Sequence, residues 1–105
     1  MTHKINREND GPFLENGPVL VWYPPPGADH HSAWAWLPGS ILEQRGPDEW
    51  RVVVEVPALA YPDPYVPNWN APENMLYPAC FRGSSELRPV TVRQWQRARE
   101  EWADG

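Results

Sequence analysis

A single cysteine and the lack of any long apolar run restrict what this 105-residue chain can be. Cys80 has no second cysteine with which to form an intrachain disulfide, so the fold must rest on packing. We expect its thiol to be buried and inert. No segment approaches the roughly 20 apolar residues that span a bilayer, and residues 1–18 lack the apolar centre of a signal peptide. The sequence therefore predicts a soluble, cytoplasmic protein without membrane contact.

Catalytic and cofactor motifs are also missing. The chain has no phosphate-binding glycine loop, no nucleophile elbow and no paired-cysteine metal motif. His30 and His31 are adjacent and follow Asp29, but three such residues in a row fall short of metal-ligand number and spacing. We therefore expect no enzymatic activity, no catalytic residue, no metal and no cofactor.

Tryptophan and proline, by contrast, are abundant, with seven and fourteen residues. Each tryptophan can bury a large apolar area, which favours a folded domain. Proline and glycine together stay below the share that is typical of disordered chains. These counts predict one small domain with long loops stiffened by proline.

Short apolar stretches separated by turn residues predict an all-β fold. The predicted strands are 19–23, 33–43, 50–56, 79–82 and 85–88. Pro38-Gly39 interrupts the second of them and predicts a bulge or a strong bend. Residues 57–78, rich in proline and aromatic side chains, are predicted to form a long loop, which in a compact domain is usually functional or disordered.

Alternation along the second strand places Trp34 and Trp36 on one face, and Ala35 and Leu37 on the other. Two interpretations of the tryptophans stay open: a floor on which residues 57–78 pack, or one wall of a groove. The predicted core consists of Val19, Val21, Ala35, Ile41, Val52, Val54 and Trp95.

A helix is predicted at the end of the chain. Thr91 is a good N-cap, and Gln94 three residues later completes a capping box. Trp95 and Trp102 lie at helical spacing and should attach the helix to the strands. The predicted organisation is a flexible arm over residues 1–17, a β domain over 18–89 that includes the 57–78 loop, and a helical region over 90–105.

Charge is distributed unevenly along the chain. The net charge of −5 disfavours general affinity for nucleic acid. Residues 82–99, however, hold five arginines and one glutamate, a local charge of +4. Arg88, Arg93 and Arg97 are candidate contacts to phosphate or to an acidic partner; the alternative is a solvated helix face.

Four stretches, "VLVWY", "AWLPGSILE", "WRVVVEV" and "ELRP", carry a family resemblance. In this order they resemble the Tudor-like branch of the SH3-like barrels, including the agenet repeats, over residues 18–89. The resemblance implies a small, strongly bent, five-stranded antiparallel barrel, here with a C-terminal α-helix, that binds a ligand.

Many domains of this family hold a methylated lysine or arginine in an aromatic cage, through cation–π attraction. Trp22 matches the aromatic that ends the first strand, but Leu37 stands where an aromatic normally precedes the proline. Residues 55–58, where further cage aromatics are expected, are Glu-Val-Pro-Ala. A cage would have to be rebuilt from the aromatic side chains Trp36, Tyr61, Tyr65 or Trp69.

The sequence thus favours a non-enzymatic binding module that recognises a protein or peptide through an aromatic-lined groove. The candidate groove residues are Trp22, Trp36, Tyr61, Tyr65 and Trp69. Two alternatives remain: a nucleic-acid-associated module that uses the arginines of residues 82–99, and a small structural subunit whose aromatics complete an oligomeric assembly.

Overall fold

The computed structural model of the chain describes residues 13–29, 31–66 and 74–103. Seven strands and one helix occur within these residues, so the mostly-β prediction is confirmed. They are β1 (Pro18–Tyr23), β2 (Ala35–Gly46), β3 (Glu49–Val54), β4 (Tyr61–Pro62), β5 (Met75–Leu76), β6 (Ala79–Arg82), β7 (Leu87–Pro89) and α1 (Val92–Glu101). Short 3-10 turns lie at Pro57–Leu59 and Ser84–Glu86.

The main sheet has five antiparallel strands in the order β6-β3-β2-β1-β7. The long strand β2 pairs with β1 through Ala35–Ser40 and with β3 through Gly39–Gly46. Among the described residues, no strand pairing joins the edges β6 and β7, so the prediction of a closed barrel is wrong. Strand β7 has only three residues and ends at Pro89, which has no N–H to donate across the gap.

The sequence predicted a bulge or a strong bend at Pro38-Gly39, and no bulge occurs there. The register between β2 and β3 shifts later, between Ile41 and Glu43 and again between Gln44 and Gly46. Gly39 instead lies where β2 passes from pairing with β1 to pairing with β3. The main chain of β3 comes so close there that a Cβ on Gly39 would overlap the Val53 carbonyl oxygen. The glycine is thus needed for close approach of two strands.

The core lies on the face of the sheet to which alternate residues of β1, β2 and β3 point. Its buried members are Phe13, Val19, Val21, Leu37, Ile41, Trp50, Val52, Val54, Val56 and Leu87. Ala35 is half-buried and packs against this cluster. The assignment of Trp95 to the core is wrong: it is half-buried on α1 and its indole is held by a hydrogen bond, while Trp102 packs against the core.

The last residues of the predicted N-terminal arm are docked on the sheet. Phe13 is 8% exposed and its ring lies 4.9 Å from that of Trp50. The Asn16 amide donates to the Ile41 carbonyl at 2.7 Å, and the Ile41 amide donates to the Gly17 carbonyl at 3.1 Å. Residues 13–17 therefore extend the core beyond the predicted start of the β domain.

Residues 57–66 and 74–78 contain a small ribbon that the sequence did not predict. Tyr61 pairs with Leu76 and Pro62 pairs with Met75, and the Asp63 amide continues the ladder to the Asn74 carbonyl at 3.2 Å. Strands of two residues are too short to show alternation, and one of them contains a proline, which argues against a strand in sequence-based prediction.

Helix α1 begins as predicted. The Thr91 hydroxyl accepts from the Gln94 amide at 3.1 Å, and the Gln94 side chain accepts from the Thr91 amide at 2.9 Å. Each contact satisfies one amide that the first helical turn leaves without a partner. None of the helices among the described residues has the length and apolar character needed to cross a membrane.

Candidate functional site

Two of the candidate groove residues meet on the face of the sheet opposite to the core. Trp22 of β1 and Trp36 of β2 are directly opposed in the register, and both are half-buried. Their ring centroids lie 5.0 Å apart at an interplanar angle of 53°. Such a tilted pair is a favoured geometry for aromatic rings, and both side chains remain partly exposed.

Arg88 of strand β7 lies next to this pair of tryptophans. It lies on the edge strand β7, opposite Leu20 of β1, and its side chain is exposed. Its guanidinium carbon lies 4.0 Å from the centroid of the Trp36 ring, well within cation–π distance. Trp22, Trp36 and Arg88 thus form one patch across β2, β1 and β7, here called the Trp–Arg surface.

Arg82, the first arginine of the basic stretch, has a different environment. Its Nε donates to the Trp22 carbonyl at 2.9 Å, although the two residues are 60 positions apart. Its guanidinium carbon also lies 5.5 Å from the rings of both Tyr23 and Trp34. Arg82 therefore crosses from β6 to the end of β1, where β1 no longer pairs with β7.

The other candidate groove residues do not join the Trp–Arg surface through any ring contact within the described residues. Tyr61 of β4 is 46% exposed and Tyr65 is 92% exposed. Tyr61 lies near Tyr23. Burial is the main cause of the raised pKa of the Tyr23 hydroxyl, and the Tyr61 hydroxyl adds a smaller effect in the same direction. Trp69 falls outside the described residues.

The remaining candidate arginines project from α1. Arg93 and Arg97 are exposed and, four residues apart, share one side of the helix. Within the described ranges the recorded ion pair joins Arg45 to Glu43 at 3.5 Å, and none is recorded for Arg93 or Arg97.

Neither a metal cluster nor an enclosed pocket occurs in the described part of the chain. The Asp29 carboxylate accepts from the His31 amide at 2.9 Å and from the Ser32 hydroxyl at 3.2 Å. The hydrogen bond from the His31 amide is the main cause of the lowered pKa of Asp29. His30 lies outside the described residues.

Sequence reasoning missed Tyr23 and Trp34 as partners of an arginine. The sequence placed Tyr23 at the end of a predicted strand, and Trp34 beside Trp36 either in a floor for residues 57–78 or in one wall of a groove. No local pattern connects either residue to Arg82. The two cation–π contacts form only when β6 lies beside β3, because the Arg82 side chain can then reach β1. The Trp22–Trp36 pair, in contrast, could have been found from the strand register alone.

Cys80 should react slowly with thiol reagents at neutral pH. It is half-buried on β6, and burial raises the pKa of its thiol, only partly offset by the nearby Arg82 charge. Because the thiolate is the reactive form, we expect a rate with Ellman's reagent at pH 7 at least about tenfold below that of glutathione. The rate should climb as the pH rises toward the raised pKa.

The control for the cysteine is the same reaction in urea, where the unfolded chain should react as fast as glutathione. If Cys80 of the folded protein reacts with Ellman's reagent at pH 7 as fast as glutathione does, the prediction of an inert thiol is wrong.

Comparisons of the chain with protein-family models, with curated proteins and with solved structures gave no match.

Proposed function

We propose that this chain is a non-enzymatic binding module that recognises a protein or peptide through the Trp–Arg surface. The observation that carries the proposal is the exposed Arg88 guanidinium lying 4.0 Å over Trp36, beside the Trp22 ring. Tryptophan and arginine are the residues that most often dominate the free energy of protein association. Here three of them come from three adjacent strands, so the sheet holds them in place before any ligand arrives.

The contacts within the surface lower the entropic cost of binding. A free arginine loses rotamer freedom when it is immobilised against a partner, at a cost of about 0.5–1.5 kcal/mol. The Arg88 guanidinium already lies against Trp36, with its carbon 4.0 Å from the ring centroid. A ligand that covers the two indoles and contacts Arg88 therefore meets a pre-organised surface.

The same proposal assigns the fold to the Tudor-like branch of the SH3-like barrels, with an open rather than closed sheet. Its support is the five-stranded antiparallel sheet, the long shared strand β2 and the order in which the four sequence stretches occur along it. The aromatic cage typical of that branch has no support, because Leu37 is fully buried and cannot line an exposed cage.

A peptide-display selection on the full chain tests the proposed function. We expect selected peptides to bind the wild type, and Trp36→Ala to weaken their affinity at least about tenfold, as for a central tryptophan. Trp22→Ala should act in the same direction. Circular dichroism and the thermal midpoint check that each variant is folded.

Tyr65→Ala is the matched control, since it removes a 92% exposed aromatic outside the Trp–Arg surface. Its effect on affinity should stay below about twofold, in line with a residue at the edge of an interface. Loss of binding with Tyr65→Ala but not with Trp36→Ala would transfer the site to the 57–66 segment and refute the proposal.

A further inference from the structure

A carboxylate borders the Trp–Arg surface. Val54 and Val56 are both fully buried in the core, so Glu55 between them points to the opposite face of the sheet. The Glu55 amide donates to the Pro38 carbonyl at 2.8 Å, which places this half-buried residue beside β2. Trp36 lies two residues before Pro38 and so shares its face. Glu55 is therefore a diagonal neighbour of Trp36, within reach of a long side chain.

Arg88 brings a positive charge to the same face from the other side of β2. Leu20 is opposite Arg88 on one side and opposite Pro38 on the other, and directly opposed residues share a face of the sheet. Because β1 lies between β7 and β2, the Arg88 side chain passes over β1 to reach Trp36. Strand register thus places Arg88, Trp36 and Glu55 on one face.

Both charged groups can still bind an ion of opposite sign. Within residues 13–29, 31–66 and 74–103 the recorded ion pair joins Arg45 to Glu43, and none is recorded for Arg88 or Glu55. One oxygen of the Glu55 carboxylate accepts from the Ser40 hydroxyl at 3.1 Å, which holds the group in place and leaves its second oxygen for a ligand. The contact recorded for the Arg88 guanidinium is with the Trp36 ring, so its N–H groups stay available to a carboxylate.

We propose that the ligand of the Trp–Arg surface is a peptide segment of mixed charge. Its acidic side chain binds the Arg88 guanidinium, its basic side chain binds the Glu55 carboxylate, and an apolar residue between them contacts the indoles of Trp22 and Trp36. An all-acidic segment would meet Glu55 and an all-basic segment would meet Arg88. Like charges brought together at an interface cost affinity, so the surface selects a segment that carries both signs.

A peptide fits this surface better than a nucleic acid. A phosphate backbone brings negative charge alone, which Glu55 and the net charge of −5 repel. Single-stranded nucleic acid also requires free aromatic faces for base stacking, but Arg88 already lies over a face of Trp36. A deoxythymidine decamer serves as the probe for this other outcome.

The inference rests on the proposed function and is tested on the full chain with a series of blocked peptides. In each peptide, one to four leucine and proline residues separate a glutamate from a lysine, which covers a range of spacings between the two charges. The tightest member is remade with glutamine for the glutamate, with glutamine for the lysine, and with glutamate for the lysine. Isothermal titration gives the affinities, and the indole N–H signals of Trp22 and Trp36 in NMR spectra report the place of binding.

Each replacement by glutamine should weaken binding about fivefold, the upper part of the range for a partly exposed ion pair. The peptide with two glutamates should bind at least about tenfold more weakly than the mixed-charge peptide, because a repulsion then adds to the lost attraction.

Glutamine variants of the protein assign each contact. With Arg88→Gln, replacing the peptide glutamate should no longer change the affinity, and with Glu55→Gln the same holds for the peptide lysine, since a pairwise interaction vanishes once either partner is gone. The matched control is the double variant Arg51→Gln and Glu43→Gln, an arginine and a glutamate that oppose each other further along β2 and β3. Its effect should stay below about twofold. Thermal midpoints confirm that the variants are folded.

The inference is overturned if the peptide with two glutamates binds as tightly as the mixed-charge peptide, or if the control pair weakens binding as much as Arg88→Gln. It is also overturned if either peptide charge keeps its effect in the variant that lacks its partner, or if the decamer binds more tightly than the peptides. If no mixed-charge peptide binds but display-selected peptides still depend on Trp36, the proposed function survives without this ligand. If neither kind of peptide binds, both fail.

Discussion

Replacing Gly39 with alanine is expected to lower the free energy of unfolding by about 3 kcal/mol, the upper part of the range for overpacking a core. A Cβ at this position would overlap the Val53 carbonyl oxygen and lie 3.0 Å from Cγ2 of Val21. The first obstacle is main chain and cannot rotate away. The strands β2 and β3 must separate, which loosens the pairing at the centre of the sheet.

Gly46→Ala is the matched control, because Gly46 is also a glycine of β2. A Cβ there would meet Cβ of Glu49 at 3.8 Å, an ordinary van der Waals contact. We expect a change within about 0.5 kcal/mol, as for most surface substitutions. Urea titration of both variants gives the comparison. Equal stability of the two variants would show that β2 and β3 do not approach as closely as the structure indicates.

Replacing Arg82 with methionine is expected to lower the free energy of unfolding by about 2 kcal/mol, the value typical of a lost hydrogen bond from a charged donor. Methionine keeps most of the aliphatic stem but cannot donate to the Trp22 carbonyl. It also ends the cation–π contacts with Tyr23 and Trp34. Because β6 and β7 are not paired, the Arg82 side chain is a direct tie between β6 and β1.

Arg51→Met provides the control for that experiment. Arg51 is an exposed arginine on β3, opposite Phe81 in the register, and its loss should change stability by less than about 0.5 kcal/mol. Urea midpoints and hydrogen exchange of the β6 amides measure the outcome. Arg82→Met should speed exchange in β6 selectively. An Arg82 variant as stable as the Arg51 variant would mean that the contacts of Arg82 with β1 do not contribute to the free energy of unfolding.

The strands were predictable where a short apolar run is bounded by turn residues. The run Val-Leu-Val-Trp-Tyr, which is followed by three prolines, predicted β1 with an error of one residue. Strand β6 matches its predicted range, since Ala79–Arg82 lies between proline and glycine. The start of α1 was equally predictable, because a capping box is a property of four consecutive residues.

The bulges, the 61–76 ribbon and the open edge of the sheet could not be predicted in this way. Register shifts between β2 and β3 depend on how two strands fit together, and neither strand carries a local signal for them. Pro38-Gly39 predicted a bulge or a strong bend, but the register shifts lie elsewhere, and the glycine serves the close approach of Val53. The sheet stays open because β6 and β7 do not pair, and which strands end up at the two edges depends on the order of all five strands rather than on a local signal.

For the candidate site, the sequence by itself determined that Trp22 and Trp36 point away from the core, that residues 82–99 are basic, and that a capped helix follows. These are local properties, fixed by alternation, composition and capping. Only the tertiary structure decided the partners of two of the arginines: Arg82 bonds to the Trp22 carbonyl and Arg88 covers Trp36. Such contacts join residues that are up to 60 positions apart, and their partners are set by which strands become neighbours.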